Sequence, residues 1–332
     1  MTAMEVKDLT KVYRFYKRRP GLISSMKSLF HRHYEENQAV RGISFNVHEG
    51  ELLGVIGPNG AGKTTTLKML SGLLYPTSGM AKVLGYTPWE RKKEFLKQIG
   101  FVMGQKGQLN WDLPPMESFI LNKEIYEIED NSFKVTVTEL SQMLNVEHLL
   151  DVTVRKLSLG ERMKCEIIAA LLHSPRLVLL DEPTIGLDVV SQMEIRHFFK
   201  MYNHTKKRTI ILTSHHMEDI KELCPRVIII HHGQLVYDGA LKDVVNQYVD
   251  DKLISLTFSE PIHQGELEKF GQIVEVDRFK AIIKVERSKV SGITSEILNT
   301  YNVLDLVVEE PRVEGVIANI FKSGLKNKDE VV

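Results

Sequence analysis

Gly57-Pro58-Asn59-Gly60-Ala61-Gly62-Lys63-Thr64 is the stretch on which the fold turns. It fits the pattern G-x-x-x-x-G-K-[ST], and its surroundings are the ones that pattern needs. The apolar run 52–56 ahead of it predicts a strand, and a helix is predicted from Lys63 onward. Glycines let successive backbone N–H groups turn inward around phosphate oxygens, aided by the positive end of the following helix. Lys63 is placed to bridge the β- and γ-phosphates, the Thr64 hydroxyl to ligate Mg²⁺, and Thr65 to add a second phosphate contact. A glycine-rich turn with a chance lysine would lack the strand before it and the helix after it.

Working outward, the buried run 177–180 ends in Asp181-Glu182. Strands of an α/β sheet present their carboxyl ends to the ligand crevice. Side chains alternate along a strand, so the two acids are expected to point apart and to take different tasks. Asp181 suits a Mg²⁺ ligand, and Glu182 suits the base that orients and deprotonates an attacking water. Pro183 stiffens the exit. Strand-like runs at 5–9, 43–47, 52–56, 99–103, 177–180, 209–213 and 227–230 alternate with helical stretches, which predicts an α/β domain. Residues 114–172 instead show helical spacing and predict a helical insert. His231-His232-Gly233-Gln234 predicts a hairpin.

After residue 239 the pattern changes. A helix at 241–249 leads to strands at 253–258, 273–276, 282–285 and 304–308 and helices at 294–301 and 313–321. The expected organisation is therefore a domain over 1–239 and a small, ferredoxin-like α+β domain over 240–332.

Of the 332 residues, 43% are hydrophobic and 26% charged, ample for a core. Lys+Arg and Asp+Glu are both 43, so no global charge points to nucleic acid. The first eleven residues carry no apolar signal core, and no run of about 18 apolar residues occurs, so neither a signal peptide nor a spanning helix is expected. Cys165 and Cys224 have no framework or metal-ligand spacing and read as reduced core thiols of a cytoplasmic protein. Residues 14–37 form a basic insertion in which Leu22, Ile23, Met26, Leu29 and Phe30 follow helical spacing. Such an amphipathic helix could lie on anionic lipid or against a membrane subunit, or pack on its own domain.

Leu157-Ser158-Leu159-Gly160-Glu161-Arg162 resembles the Leu-Ser-Gly-Gly-Gln signature of ATP-binding-cassette (ABC) transporter ATPases, with departures at Leu159 and Glu161. The same residues also read as a capping box, Ser158 as cap and Glu161 three residues on. The resemblance implies a P-loop NTPase cassette that hydrolyses ATP as a dimer. Ser158 and Gly160 would then bind the γ-phosphate held by the second subunit. It further implies that Gln105 links Mg²⁺ to the face docking a membrane subunit and that Asp188 lies near the facing phosphate loop. His215 would be the switch histidine on the γ-phosphate. Tyr13, or Tyr16, would stack on adenine. The phrase 105–114 and the tail 307–311 are similar to bacterial exporter-type members. The expected setting is the inner face of the membrane, beside a multi-spanning subunit; a non-transport ABC ATPase acting on ribosomes or DNA is the alternative.

Overall fold

The computed structural model describes residues 1–16, 34–104, 107–248 and 251–309. The chain divides into two compact units, Met1–Gly239 and Ala240–Val332.

The first unit opens with β1 (Thr2–Tyr16), β2 (Tyr34–His48), β3 (Leu52–Ile56) and β4 (Ser78–Val83). Strands β2, β1 and β4 form an antiparallel three-stranded sheet, β1 in the middle. Met4, Val6, Val40, Ile43, Phe45 and Val47 are turned into the core, the alternation expected of a sheet with one dry face. This sheet departs from the strand–helix alternation that the sequence predicts. β4 is unforeseen because Gly79, with φ 89°, interrupts its pattern; a Cβ there would lie 2.3 Å from the Asp8 carbonyl oxygen. The flanks of the predicted basic insertion are also strand: Arg14 pairs with Glu36 and Tyr16 with Tyr34. The amphipathic helix proposed within it lies outside the described residues, as does the helix expected at 313–321.

The second sheet adds β5 (Ile99–Met103), β6 (Leu177–Asp181), β7 (Thr209–Ser214), β8 (Arg226–His231) and β9 (Gln234–Ala240), in the order β5-β6-β7-β3-β8-β9. Pairing from β5 to β8 is parallel. β3, β6 and β7 are buried at every position, which explains their unbroken apolar runs: parallel strands are covered on both faces. His232 (φ 47°) and Gly233 (φ 80°) are both left-handed, the two-residue turn that closes β8 onto β9.

Helices α1 (Lys63–Leu70), α2 (Pro115–Tyr126), α3 (Asp130–Leu144), α4 (Leu159–Leu171), α5 (Val189–Lys206) and α6 (Met217–Leu223) are the longer helices of this unit among the described residues. α2, α3 and the start of α4 make up the all-helical stretch that interrupts the sheet between β5 and β6. Both cysteines are free and buried, with burial pushing the Cys165 thiol up to about 12.

The second unit begins with α7 (Leu241–Tyr248). β10 (Asp251–Phe258), β11 (Gln272–Asp277), β12 (Lys280–Glu286) and β13 (Val303–Glu309) form an antiparallel sheet in the order β11-β12-β10-β13. A short helical turn (Gln264–Leu267) and α8 (Val290–Thr300) give the chain order β-α-β-β-α-β. Ile254, Leu256, Phe258, Leu267, Phe270, Ile283 and Ile297 build a core of its own.

Candidate active site

The site grows from the carboxyl end of β3. A side chain at Gly57 would place its Cβ 2.3 Å from the Ile230 carbonyl oxygen, and one at Gly62 would meet the Ala39 carbonyl oxygen at 2.4 Å. Gly60 (φ 80°) and Gly62 (φ 108°) are also left-handed, so the loop tolerates nothing larger at these points. Gly62 then serves as N-cap of α1 with no side-chain hydrogen bond to the first turn. Backbone N–H groups at a helix start without side-chain caps form an anion site.

Lys63 is 6% exposed. Its Nζ donates to the carbonyl oxygens of Gly57 at 2.7 Å and Pro58 at 3.3 Å and stands 3.6 Å from Glu182 Oε1. The Thr64 hydroxyl donates to Asp181 Oδ1 at 2.9 Å, and the Thr213 hydroxyl donates to the same oxygen at 2.7 Å. Thr213 was not singled out by the sequence; only the parallel register, which sets it beside Asp181 on β7, reveals it.

Glu182 leaves β6 in a left-handed conformation, φ 55°. Strand alternation, the expected cause of the divergence between the two acids, therefore does not apply: the backbone turn separates them. Its N–H donates to the Thr213 carbonyl oxygen at 3.0 Å and hydroxyl at 3.1 Å. A non-glycine residue in this region costs about 1–3 kcal/mol, a strain that packing must hold. The side chain is thereby brought against His215, whose Nδ1 hydrogen-bonds Glu182 Oε2.

Both loops are anchored from behind by Asp219 on α6, which is 0% exposed. Its carboxylate accepts from the hydroxyls of Thr184 (2.5 Å) and Ser214 (2.8 Å) and from Arg196 (3.0 Å). Thr184 is two residues beyond Glu182, and Ser214 immediately precedes His215. None of these three polar residues carries a motif that the sequence could flag.

A cleft of ≈ 440 Å³ gathers these groups; Asn59–Thr65, Asp181, Glu182 and His215 all line it. Gly57 and Pro58 form the base of the loop beneath it. Gln105 lies outside the described residues, although the preceding Gly104 donates to the Asp181 carbonyl oxygen at 2.8 Å. A Cβ at Gly104 would sit 2.0 Å from the Glu182 carbonyl oxygen.

The other anticipated residues lie elsewhere. Ser158 caps α4: its hydroxyl accepts from Glu161 N–H at 3.3 Å while Glu161 Oε2 accepts from Ser158 N–H at 2.8 Å. These hydrogen bonds hold the Glu161 carboxyl below its ordinary value. Arg162 stacks over Trp111, 4.8 Å from the ring centroid. Asp188 caps α5, accepting from Ser191 N–H at 2.9 Å and Ser191 hydroxyl at 2.6 Å. A Cβ on Gly160 would lie 2.1 Å from Ser191 Oγ, so these two helix starts are packed together. Neither Ser158, Gly160 nor Asp188 lines the cleft. Tyr13 lies on β1 and is 38% exposed. It too is absent from the cleft lining, and Lys11 Nζ is 5.4 Å from its ring centroid. Among the described residues, no helix is long and apolar enough to cross a membrane.

Residues 40–185 match the family described as ABC transporter, and residues 250–309 match the C-terminal domain of EvrA-like ABC transporters. The linearmycin resistance ATP-binding protein LnrL of Bacillus subtilis is 31% identical over 86% of this chain and 94% of its own. The bacitracin transport ATP-binding protein BcrA of Bacillus licheniformis is 34% identical over 71% of this chain and 69% of its own. Among solved structures, a dimeric ATP-binding cassette bound to ADP and Pi superposes with a TM-score of 0.59. It is 24% identical over 71% of this chain and 98% of that one.

Proposed function

Since the chain belongs to the ABC transporter family and is an ATPase of that family, we propose that it drives transport as a nucleotide-sandwich dimer docked on a separate membrane-spanning subunit. The observation that carries this reading is that the Lys63 loop and the helix start at Ser158 and Gly160 do not share the candidate active-site cleft within the chain. Asn59–Thr65 line the cleft at the Lys63 loop, and neither Ser158 nor Gly160 does.

Two copies related head to tail would set the Ser158 end of each α4 over the triphosphate held by the other. Asp188, already packed beside Gly160 through Ser191, would then reach the facing loop. Lys63 neutralises developing charge on the β- and γ-phosphates, and the N–H groups of the loop hold their oxygens. Glu182, fixed by Thr213, orients and deprotonates the attacking water, and His215 sits where it can hold both that carboxylate and the γ-phosphate. The oxygen donors of Thr64 and Asp181 suit a hard cation such as Mg²⁺; these two residues would hold it, and it would supply positive charge against that developing on the phosphates. Gln105 is assigned to that metal and to the face toward the membrane subunit. ATP then closes the dimer because it binds the closed form better, and hydrolysis reopens it.

The proposed setting is the inner face of the membrane, reached through the membrane subunit. Relatives named for linearmycin resistance and bacitracin transport favour outward movement of cargo.

Glu182→Gln tests the reading. It should retain ATP binding, lower turnover by about 10²–10⁴, and accumulate an ATP-dependent dimer in size-exclusion chromatography. A variant that stays monomeric at saturating ATP, alone and with a co-purified membrane subunit, would refute the sandwich.

A further inference from the structure

Glu166 is a carboxylate in an unexpected place. It lies midway along α4, two turns beyond Ser158, at 3% exposure among Cys165, Ile167 and Ile168. Its two oxygens accept from Gln108 N–H at 2.9 and 2.8 Å and from Leu109 N–H at 3.2 Å. A Cβ on Gly107 would come within 2.7 Å of Glu166 Oε1, so the loop backbone passes directly over the carboxylate. Burial pushes the Glu166 carboxyl up, while the two N–H donors and the Arg162 charge pull it down. A small apolar residue would fill a buried helix position without the desolvation cost of a carboxylate. What the acid supplies is a charge-assisted grip on consecutive backbone donors.

The gripped residues follow Gln105 by three and four positions. The same helix begins at Ser158 and Gly160. We propose that Glu166 is a positioning residue that fastens the backbone at 107–109, which directly follows Gln105 and Lys106 in the chain, to the signature helix. A phosphate arriving at the helix start from the facing subunit is then felt at the loop that serves this subunit's own nucleotide. This rests on the dimeric reading above and adds to it a connection between the two ATP sites within one chain. The connection is short: one rigid helix of 13 residues, with one side chain joining it to the loop. Arg162 over Trp111 braces the same junction one turn nearer the helix start.

Glu166→Gln and Glu166→Asp in the full chain test the idea. The amide keeps the shape but gives up the charge and one of the two accepting oxygens; the aspartate keeps the charge but shortens the reach. Turnover should fall about 5- to 20-fold in Glu166→Gln, with KM for ATP within about twofold and the melting temperature nearly unchanged. The Hill coefficient for ATP should drop toward one, and hydrogen exchange at Gln108 and Leu109 should quicken at least about tenfold. Glu166→Asp should fall between wild type and the amide.

Unchanged turnover and cooperativity in Glu166→Gln would overturn the proposal. So would losses of kcat and melting temperature that track each other across both variants, since that marks a purely structural residue. If Glu166→Gln fails to fold, Glu166→Asp decides the matter by the same criteria. A wild-type chain that hydrolyses ATP with no sign of dimerisation would instead remove the reading beneath it.

Discussion

Two helix starts in this chain, both assigned to phosphate in the proposed function, are built oppositely. α1 begins at Gly62, has no side-chain cap, and lies at the bottom of a cleft shaped by glycines that no side chain could replace. α4 begins at Ser158, and its capping box satisfies the Ser158 and Glu161 N–H groups from within. An open helix start needs a ligand to complete it. A capped start is stable alone and offers only what the cap leaves over: the serine hydroxyl and the N–H groups around Gly160. The first suits tight binding of a nucleotide; the second suits a contact that must form and break in each cycle.

The sharpest way to break this contrast is to disable each start separately. Lys63→Ala should lower turnover about 10²–10³-fold and weaken ATP binding to the isolated chain as well, since a buried cation aimed at the phosphates is lost. Retained nucleotide affinity in a fluorescent-ATP titration would mean that the backbone cradle suffices. Gly160→Ala should act differently. The added methyl meets Ser191 Oγ and Cβ, at 2.1 and 2.7 Å, and forces the Ser191 side chain, and α5 with it, away from α4. Turnover should fall about 10- to 10²-fold, as small misplacements do, while single-chain ATP affinity stays level. Equal loss of affinity in both variants would erase the distinction between the two ends.

The sequence exposed these two starts unequally too. The Lys63 loop was readable because its function is written in backbone demands, and only glycine meets them. Asp181 and Glu182 were readable from their place at the end of an apolar strand, yet the cause of their divergence was not, because a left-handed φ at a glutamate has no sequence signature. Thr213 and Asp219 carry no sequence signal, because hydroxyls and acids gain their roles from register and packing that join β6, β7 and α6 across long separations. β4 and the long arms of β1 and β2 are not legible in the sequence, since exposed, polar, bulged antiparallel strands carry little periodicity. The second unit was legible in its strands, whose inward apolar positions alternate, but no residue in it carries a motif that names a ligand.

The far end of α4 yields a further comparison. His173 follows the helix, stacks on Tyr126 at 3.9 Å, and its Nε2 hydrogen-bonds the Ile99 carbonyl oxygen at 2.9 Å. Its Nδ1 is buried with no partner among the described residues. Protonation would bury a second N–H without an acceptor, and burial pushes the imidazole down to about 4. The unfolded chain binds that proton near 6.5, so the unfolded state holds more protons between the two values. Stability is therefore present above pH 6.5 and lost as pH falls toward 4, by about 2–3 kcal/mol from this residue. His173→Phe keeps the stack and should flatten that part of the urea-stability profile between pH 6.5 and 4. An identical slope in the variant would place the titration elsewhere.

The smallest effect separates the two duties of Ser158. As an N-cap it is worth about 1 kcal/mol against alanine but only a few tenths against glycine, which caps nearly as well. As a phosphate ligand its hydroxyl has no substitute in either residue. Ser158→Ala should therefore lower stability and turnover, whereas Ser158→Gly should lower turnover several-fold with stability almost intact. Measured side by side by urea melts and ATPase rates, the pair should diverge in stability and agree in rate. If the glycine variant turns over like wild type, the serine is a cap and nothing more, and the anion at this helix start must be held by backbone N–H groups alone.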